Sequence, residues 1–161
     1  MKSYLLSSLA VRLASGTAEG FRTAQSGDWL VWEPGAWRPP GKATLIAVPG
    51  VSDPAKTGEA LVLALEPKKD SPGQVTLGRG DECAITINDG TLSTVHLSFM
   101  KGPDAGWTVR DAGSKNGSTL DGAKLDPGQP RPVRSGAKLQ AGQVNFTFYD
   151  VDGLMARLKA G

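Results

Sequence analysis

The chain has one histidine, His96, which lies three residues after Ser93 in the stretch DGTLSTVHLSFM. A serine nucleophile with a histidine base is therefore the first chemistry to consider. That chemistry also needs a carboxylate that orients the imidazole, and the sequence places none beside the pair, nor a GxSxG elbow. A lone histidine that begins an apolar strand is better explained by a structural role. We expect no catalytic residue and no enzyme activity.

Other chemical motifs are incomplete. The stretch GRGDEC at 78–83 lacks the third glycine of a dinucleotide fingerprint, and GAWRPPGKA at 35–43 ends in alanine where a phosphate-binding P-loop needs serine or threonine. The single cysteine, Cys83, cannot form an intramolecular disulfide, and with one histidine it cannot complete a zinc site. The sequence therefore predicts no metal site and no cofactor.

Three side chains with binding chemistry occur in separate turns at strand ends: Arg79 in LGRGDECAITI, Ser93 in DGTLSTVH and Asn116 in DAGSKNGST. Each has an ordinary structural explanation. The arginine can form a surface ion pair with Asp81 or Asp111. The serine can cap a turn, and the asparagine begins an Asn-Gly pair, a strong signal for a type I′ hairpin turn. A turn role for the asparagine is compatible with a ligand role.

Together the three turns resemble the forkhead-associated (FHA) domain, a β-sandwich that binds phosphothreonine in partner proteins. The resemblance covers roughly residues 59–150, the blocks follow the family's order, and we expect a bacterial member. The family's Gly-Arg corresponds to Gly78 and Arg79, its Ser-x-x-His to Ser93 through His96, and its Asn-Gly to Asn116 and Gly117.

The resemblance implies that Arg79 and Ser93 grip the phosphate and that Asn116 holds the peptide main chain. The resemblance also implies structural roles for Gly78, Gly117 and His96. The neutral imidazole would form hydrogen bonds to loop backbone and so brace the loops. These roles are physically consistent, because a phosphate carries about −1.5 to −2 charge at pH 7 and three acceptor oxygens. A planar guanidinium can meet two of those oxygens at once, and hydroxyls and backbone N–H groups can meet the rest.

Thr94 departs from the family pattern, because many members have a basic residue directly after the serine. The threonine can add a hydroxyl to the site, but it removes one positive charge. Lys115, directly before Asn116, is the candidate replacement, and its alternative is an exposed turn lysine. This departure motivates a second hypothesis, a structural scaffold that keeps the sandwich, joins an assembly without phosphate and uses a surface such as the Trp29, Trp32 and Trp37 cluster.

The elements that must position these turns are short strands. From Glu59 onward, apolar alternating segments are separated by turn residues at intervals of about 8–12 residues, which is typical of an all-β sandwich or barrel. No helical crossover pattern separates them, so a parallel α/β sheet is disfavoured. We expect a β-sandwich of two mostly antiparallel sheets at 58–150, a short C-terminal helix at 151–161 and a small N-terminal extension at 1–57.

Within the extension, Leu5, Leu9 and Leu13 fall on one face of an amphipathic helix, although the same segment also imitates a signal peptide. The tryptophans follow, then a strand at 43–50 and a linker at 51–58.

Composition limits the partners. A formal net charge of +2, with scattered basic residues, does not provide the basic stripe of a nucleic-acid binder. No segment approaches the ~18 apolar residues of a membrane span. We expect a cytoplasmic protein that acts downstream of Ser/Thr kinases by binding a phosphothreonine protein; the sequence leaves its oligomeric state open.

Overall fold

A computed structural model describes residues 3–34, 59–104 and 106–160. The described residues form twelve strands and three helices. In chain order these are β1 Ser3–Leu5, α1 Leu6–Ser15, α2 Ala18–Ala24, β2 Asp28–Trp32, β3 Leu61–Ala64, β4 Gln74–Gly78, β5 Ile85–Thr86, β6 Leu97–Lys101, β7 Trp107–Asp111, β8 Ser118–Leu120, β9 Ala123–Lys124, β10 Arg131–Val133, β11 Lys138–Ala141, β12 Val144–Asp150 and α3 Val151–Ala160.

The strands form two sheets. A seven-stranded sheet has the order β1-β3-β2-β12-β11-β8-β9, and a five-stranded sheet has the order β10-β7-β6-β4-β5. Neighbouring strands are antiparallel except β4 and β5, which are parallel. Burial alternates along strands such as β7, as expected when one face meets the core. The predicted sandwich of two mostly antiparallel sheets is confirmed.

The core lies between the sheets because each contributes its apolar face. Leu63 and Phe146 of the larger sheet and Leu77, Leu97 and Phe99 of the smaller one are almost completely buried in one cluster. A shared core fixes the position of each strand end, so the loops that leave those ends are held by the sandwich.

The N-terminal segment differs from the expected extension. Strand β2 lies between β3 and β12, and β1 pairs with β3, so both belong to the larger sheet. The three helices cover the outer face of that sheet through a second cluster that includes Leu9, Phe21, Trp29 and Leu154. The predicted amphipathic helix begins at Leu6, with Leu5 still in β1, and the C-terminal helix forms as predicted. None of the described helices is long and apolar enough to cross a membrane.

Trp29 and Trp32 do not belong to one exposed cluster. Trp29 packs under the helices, whereas Trp32 lies in the core between the sheets, and both are buried. They are three residues apart on one strand, so their side chains point to opposite faces. Trp37, the strand expected at 43–50 and the linker expected at 51–58 lie outside the described residues.

Two local assignments also differ. The expected single strand TLDGAKL is a hairpin of β8 and β9, because Asp121 and Gly122 both have positive φ (50° and 84°) and form a two-residue turn of type I′. The segment DPGQPRP, expected to be a turn, runs into β10. That strand contains Pro132 and lies at a sheet edge, where a missing N–H donor is tolerated.

Candidate functional site

The loops after β4 and before β6 are joined by backbone hydrogen bonds. The Arg79 N–H donates to the Ser93 carbonyl at 2.9 Å, and the Gly80 N–H donates to the Thr94 carbonyl at 2.9 Å. Gly78 is required by this close approach rather than by its own φ: a Cβ there would collide with the Thr94 carbonyl oxygen and lie 2.9 Å from that of Ser93. The loop that contains the arginine is thus fixed to the loop that contains the serine.

His96 is completely buried and connects this pair of loops to a third. The Ser93 N–H donates to Nδ1 at 3.0 Å, and Nε2 lies 2.9 Å from the Gly117 carbonyl oxygen. An amide N–H can only donate, so Nδ1 is the acceptor and Nε2 carries the proton of a neutral imidazole. Both ring nitrogens therefore bond to loop backbone, and neither is left to deprotonate the Ser93 hydroxyl as a hydrolase would require.

Asp111 shapes the third loop. Its buried carboxylate accepts hydrogen bonds from the backbone N–H groups of Gly113 and Ser114 at 2.8 and 2.7 Å, and from the hydroxyls of Ser114 and Ser118 at 2.5 and 2.6 Å. Burial alone would raise the pKa of Asp111, but the hydrogen bonds from Ser114, Ser118 and the Gly113 backbone together outweigh it and hold the pKa below its ordinary value of 3.8. The carboxylate is committed to its own loop and does not pair with Arg79.

Ser93 and Asn116 each make a hydrogen bond that joins the second and third loops. The Lys115 N–H donates to Ser93 Oγ at 3.0 Å, so the hydroxyl oxygen accepts from the protein and its O–H remains free to donate. Asn116 donates from Nδ2 to the Thr91 carbonyl at 2.7 Å and is exposed, which leaves its carboxamide oxygen and second N–H for a ligand. Gly117 has φ of 79°, a conformation that favours glycine directly after the asparagine.

Arg79 is exposed on this surface. Within the described part of the chain, its guanidinium makes no ion pair and no side-chain hydrogen bond, so the alternative of a pair with Asp81 or Asp111 is not seen there. Lys115 and Thr94 are also exposed. The arrangement presents a guanidinium, a hydroxyl, an ammonium and a carboxamide at one end of the sandwich, which suits a small anion attached to an extended polar chain.

Sequence reasoning missed Thr91, which lies behind Asn116. Its backbone carbonyl accepts the Asn116 bond, and its hydroxyl and N–H both donate to Asp89 Oδ1, at 2.6 and 2.8 Å. The sequence does contain a signal for this contact, because Asp89 lies two residues before Thr91. An aspartate that accepts from the backbone N–H two residues later forms an Asx-turn. The resemblance predicts residues that would contact a ligand, whereas Thr91 contacts one of those residues, Asn116, through its carbonyl.

The FHA domain family profile matches residues 75–142 of the chain. The FHA domain-containing protein FhaB of Mycobacterium tuberculosis is 33% identical over 84 residues, which cover 52% of this chain and 48% of that protein. The chain therefore matches about half the length of these curated relatives. All three turns of the site described above lie inside the matched family segment.

Solved structures share the fold at low identity. The FHA domain of MEK1 has a TM-score of 0.52 at 18% identity and covers 82% of this chain and 96% of that chain. The FHA domain of an Arabidopsis thaliana hypothetical protein has a TM-score of 0.51 at 20% identity, with coverage of 78% and 86%. The FhaA FHA domain, complexed with the intracellular domain of Rv3910, has a TM-score of 0.50 at 16% identity, with coverage of 76% and 99%.

Proposed function

Because the chain carries an FHA domain at residues 75–142, we propose that it is a non-catalytic recognition module that binds phosphothreonine in partner proteins. One observation carries this proposal: Ser93 joins the three loops. Its carbonyl accepts from Arg79, its N–H donates to His96, and its hydroxyl oxygen accepts from Lys115. The backbone segments that carry the proposed binding side chains are therefore joined before a ligand arrives.

Arg79, Ser93 and Lys115 would bind the phosphate. A phosphate dianion needs fixed donors and one or two cations, and preorganised donors do not have to be ordered when the ligand binds. The Arg79 guanidinium has no competing partner among the described residues, and the Ser93 oxygen accepts from the Lys115 N–H, which leaves its O–H available to donate. The lysine would supply the second cation where Thr94 replaces the usual basic residue.

Asn116 would bind the main chain beside the phosphothreonine. A carboxamide can accept from a peptide N–H and donate to a peptide carbonyl, so it can hold an extended strand without reading its side chains. The bond from Nδ2 to the Thr91 carbonyl uses one donor and fixes which way the amide faces. The Thr94 hydroxyl is exposed at the same surface and would contribute a weaker, neutral contact.

The cellular role follows from the ligand. Phosphothreonine is the product of Ser/Thr kinases, so a module that binds it acts downstream of such a kinase and transmits the signal by association. We place this activity in the cytoplasm, where a free buried thiol such as Cys83 is stable in reduced form.

Binding is expected to depend on the phosphate. In a screen with a degenerate phosphothreonine peptide library, individual sequences should be selected, and calorimetry of a selected peptide should show micromolar binding. Its unphosphorylated twin should bind on the order of 10³-fold more weakly, because two or three hydrogen bonds to a charged group contribute about 1.5–3 kcal/mol each.

A phosphoserine version of the peptide is the matched control. The threonine methyl adds about 0.8 kcal/mol by burial, or about fourfold in affinity, and its restricted χ1 adds further preference. Equal binding of the phosphorylated and unphosphorylated peptides would rule out the proposed function.

A further inference from the structure

Thr91 connects the site to the turn between β11 and β12. The Gln143 N–H donates to Thr91 Oγ1 at 3.0 Å, while the same hydroxyl donates to Asp89 Oδ1 at 2.6 Å. The hydroxyl therefore uses both its donor and an acceptor site within the protein. One threonine side chain thus holds together the loop before β6 and the turn at 142–143.

The neighbouring backbone closes around the same residue. Gly142 packs so tightly on Thr91 that an added Cβ would lie 2.5 Å from the Thr91 carbonyl oxygen and 2.7 Å from its Oγ1. The Gly142 N–H donates to the Gly117 carbonyl at 3.1 Å. The Thr91 carbonyl therefore lies in close contact with Gly142, and this is the carbonyl that accepts the bond from Asn116.

The contacts divide into two groups. In one group, Ser93 bonds to His96 and to the Lys115 N–H, next to the proposed phosphate-binding side chains. In the other, Thr91 bonds to Asp89 and Gln143 and supports Asn116. The groups share neighbouring backbone, but no side-chain hydrogen bond of the described residues runs directly from Thr91 to Ser93 or Arg79. Removal of the Thr91 hydroxyl should therefore disturb the position of Asn116 more than the positions of the proposed phosphate-binding groups.

We propose that Thr91 is a positioning residue for Asn116, and that the hydroxyl anchor from Asp89 through Thr91 to Gln143 controls main-chain binding of the peptide separately from phosphate binding. This inference rests on the proposed function. A carboxamide whose supporting carbonyl moves loses its fixed orientation, and ordering it again on binding costs affinity. The expected loss corresponds to about one hydrogen bond.

The test compares Thr91→Val, which keeps the shape but removes the hydroxyl, with Thr91→Ser, which keeps the hydroxyl. Thr108→Val, on β7 away from these loops, is the matched control for the chemical change. Binding of a selected phosphothreonine peptide and of free O-phospho-L-threonine is measured by titration of each variant. Thr91→Val should weaken peptide binding about three- to tenfold, with phosphothreonine binding changed less than about twofold and both affinities retained in Thr91→Ser.

Combination with Asn116→Ala completes the test, since a residue that acts through the asparagine should add little once the asparagine is gone. Additive losses in the double variant would overturn the inference. So would equal losses for peptide and phosphothreonine, or no loss for the peptide. If wild-type protein binds neither ligand, the proposed function itself fails, and the inference fails with it.

Discussion

Arg79→Ala is expected to remove most of the affinity difference between a phosphothreonine peptide and its unphosphorylated twin. The guanidinium can make two parallel charge-assisted hydrogen bonds to the phosphate, each contributing about 1.5–3 kcal/mol, so the phosphorylated peptide should lose about 10²–10⁴-fold in affinity. The unphosphorylated peptide should bind as weakly as before. Calorimetry of both peptides against the variant measures this difference.

The free energy of unfolding should not change in Arg79→Ala, so the loss of affinity can be distinguished from a folding defect. Arg79 is exposed and has no side-chain partner in the part of the chain that the structure describes, and such surface changes typically alter stability by less than about 0.5 kcal/mol. Arg131→Ala, an exposed arginine on the edge strand β10, is the matched control and should leave both affinities unchanged. Full retention of phosphate discrimination in Arg79→Ala would show that the phosphate lies elsewhere.

His96→Ala is expected to have the largest effect on stability, with a loss of binding as well. The substitution leaves a cavity in a fully buried position. It leaves the Ser93 N–H without a partner and removes one of the two hydrogen bonds that the Gly117 carbonyl accepts. A cost of about 3–5 kcal/mol in the free energy of unfolding follows from the cavity, the unsatisfied Ser93 N–H and the lost bond to Gly117. Urea denaturation measures this cost, and peptide titration below the transition measures the loss of binding.

Two conservative variants test the two hydrogen bonds of His96 separately. His96→Asn offers a carbonyl oxygen near the position of Nδ1 and should restore the bond from Ser93. His96→Gln offers an N–H near the position of Nε2 and should restore the bond to Gly117. If the brace orients the serine, the asparagine variant should retain more phosphopeptide affinity than the glutamine variant at comparable stability. A His96→Ala variant with wild-type stability and affinity would contradict the role of a brace.

Four strands of the sandwich were predictable because each has a local signature. Most of their residues alternate between apolar and polar, and turn residues bound each segment, so both signals indicate strands. The segments are 74–78, 97–100, 107–111 and 144–150. The position of β2 was not predictable in the same way. Its residues DWLVW are buried on both faces, because helices cover one side, and a strand buried on both faces shows no alternation.

The candidate site likewise has residues that the sequence indicated and residues whose roles it did not. Arg79, Ser93, His96 and Asn116 were predicted from the family resemblance, and in the structure hydrogen bonds join the three turns that contain them. The role of Asp111 was not found, because an aspartate at a strand end is compatible with an ion pair as well as with a loop cap. Which groups it meets depends on the path of the loop, and a sequence pattern does not specify that path.

The most direct test of the account is the location of the bound phosphate. Backbone amide shifts of isotopically labelled protein are followed by NMR during titration with a selected phosphothreonine peptide. The largest changes should fall on residues 79–80, 91–94 and 115–117, with little change at the opposite end of the sandwich around Gly136 and Asp150. Shifts concentrated on the helical face, or no difference between the phosphorylated and unphosphorylated peptides, would contradict a site formed by the three loops.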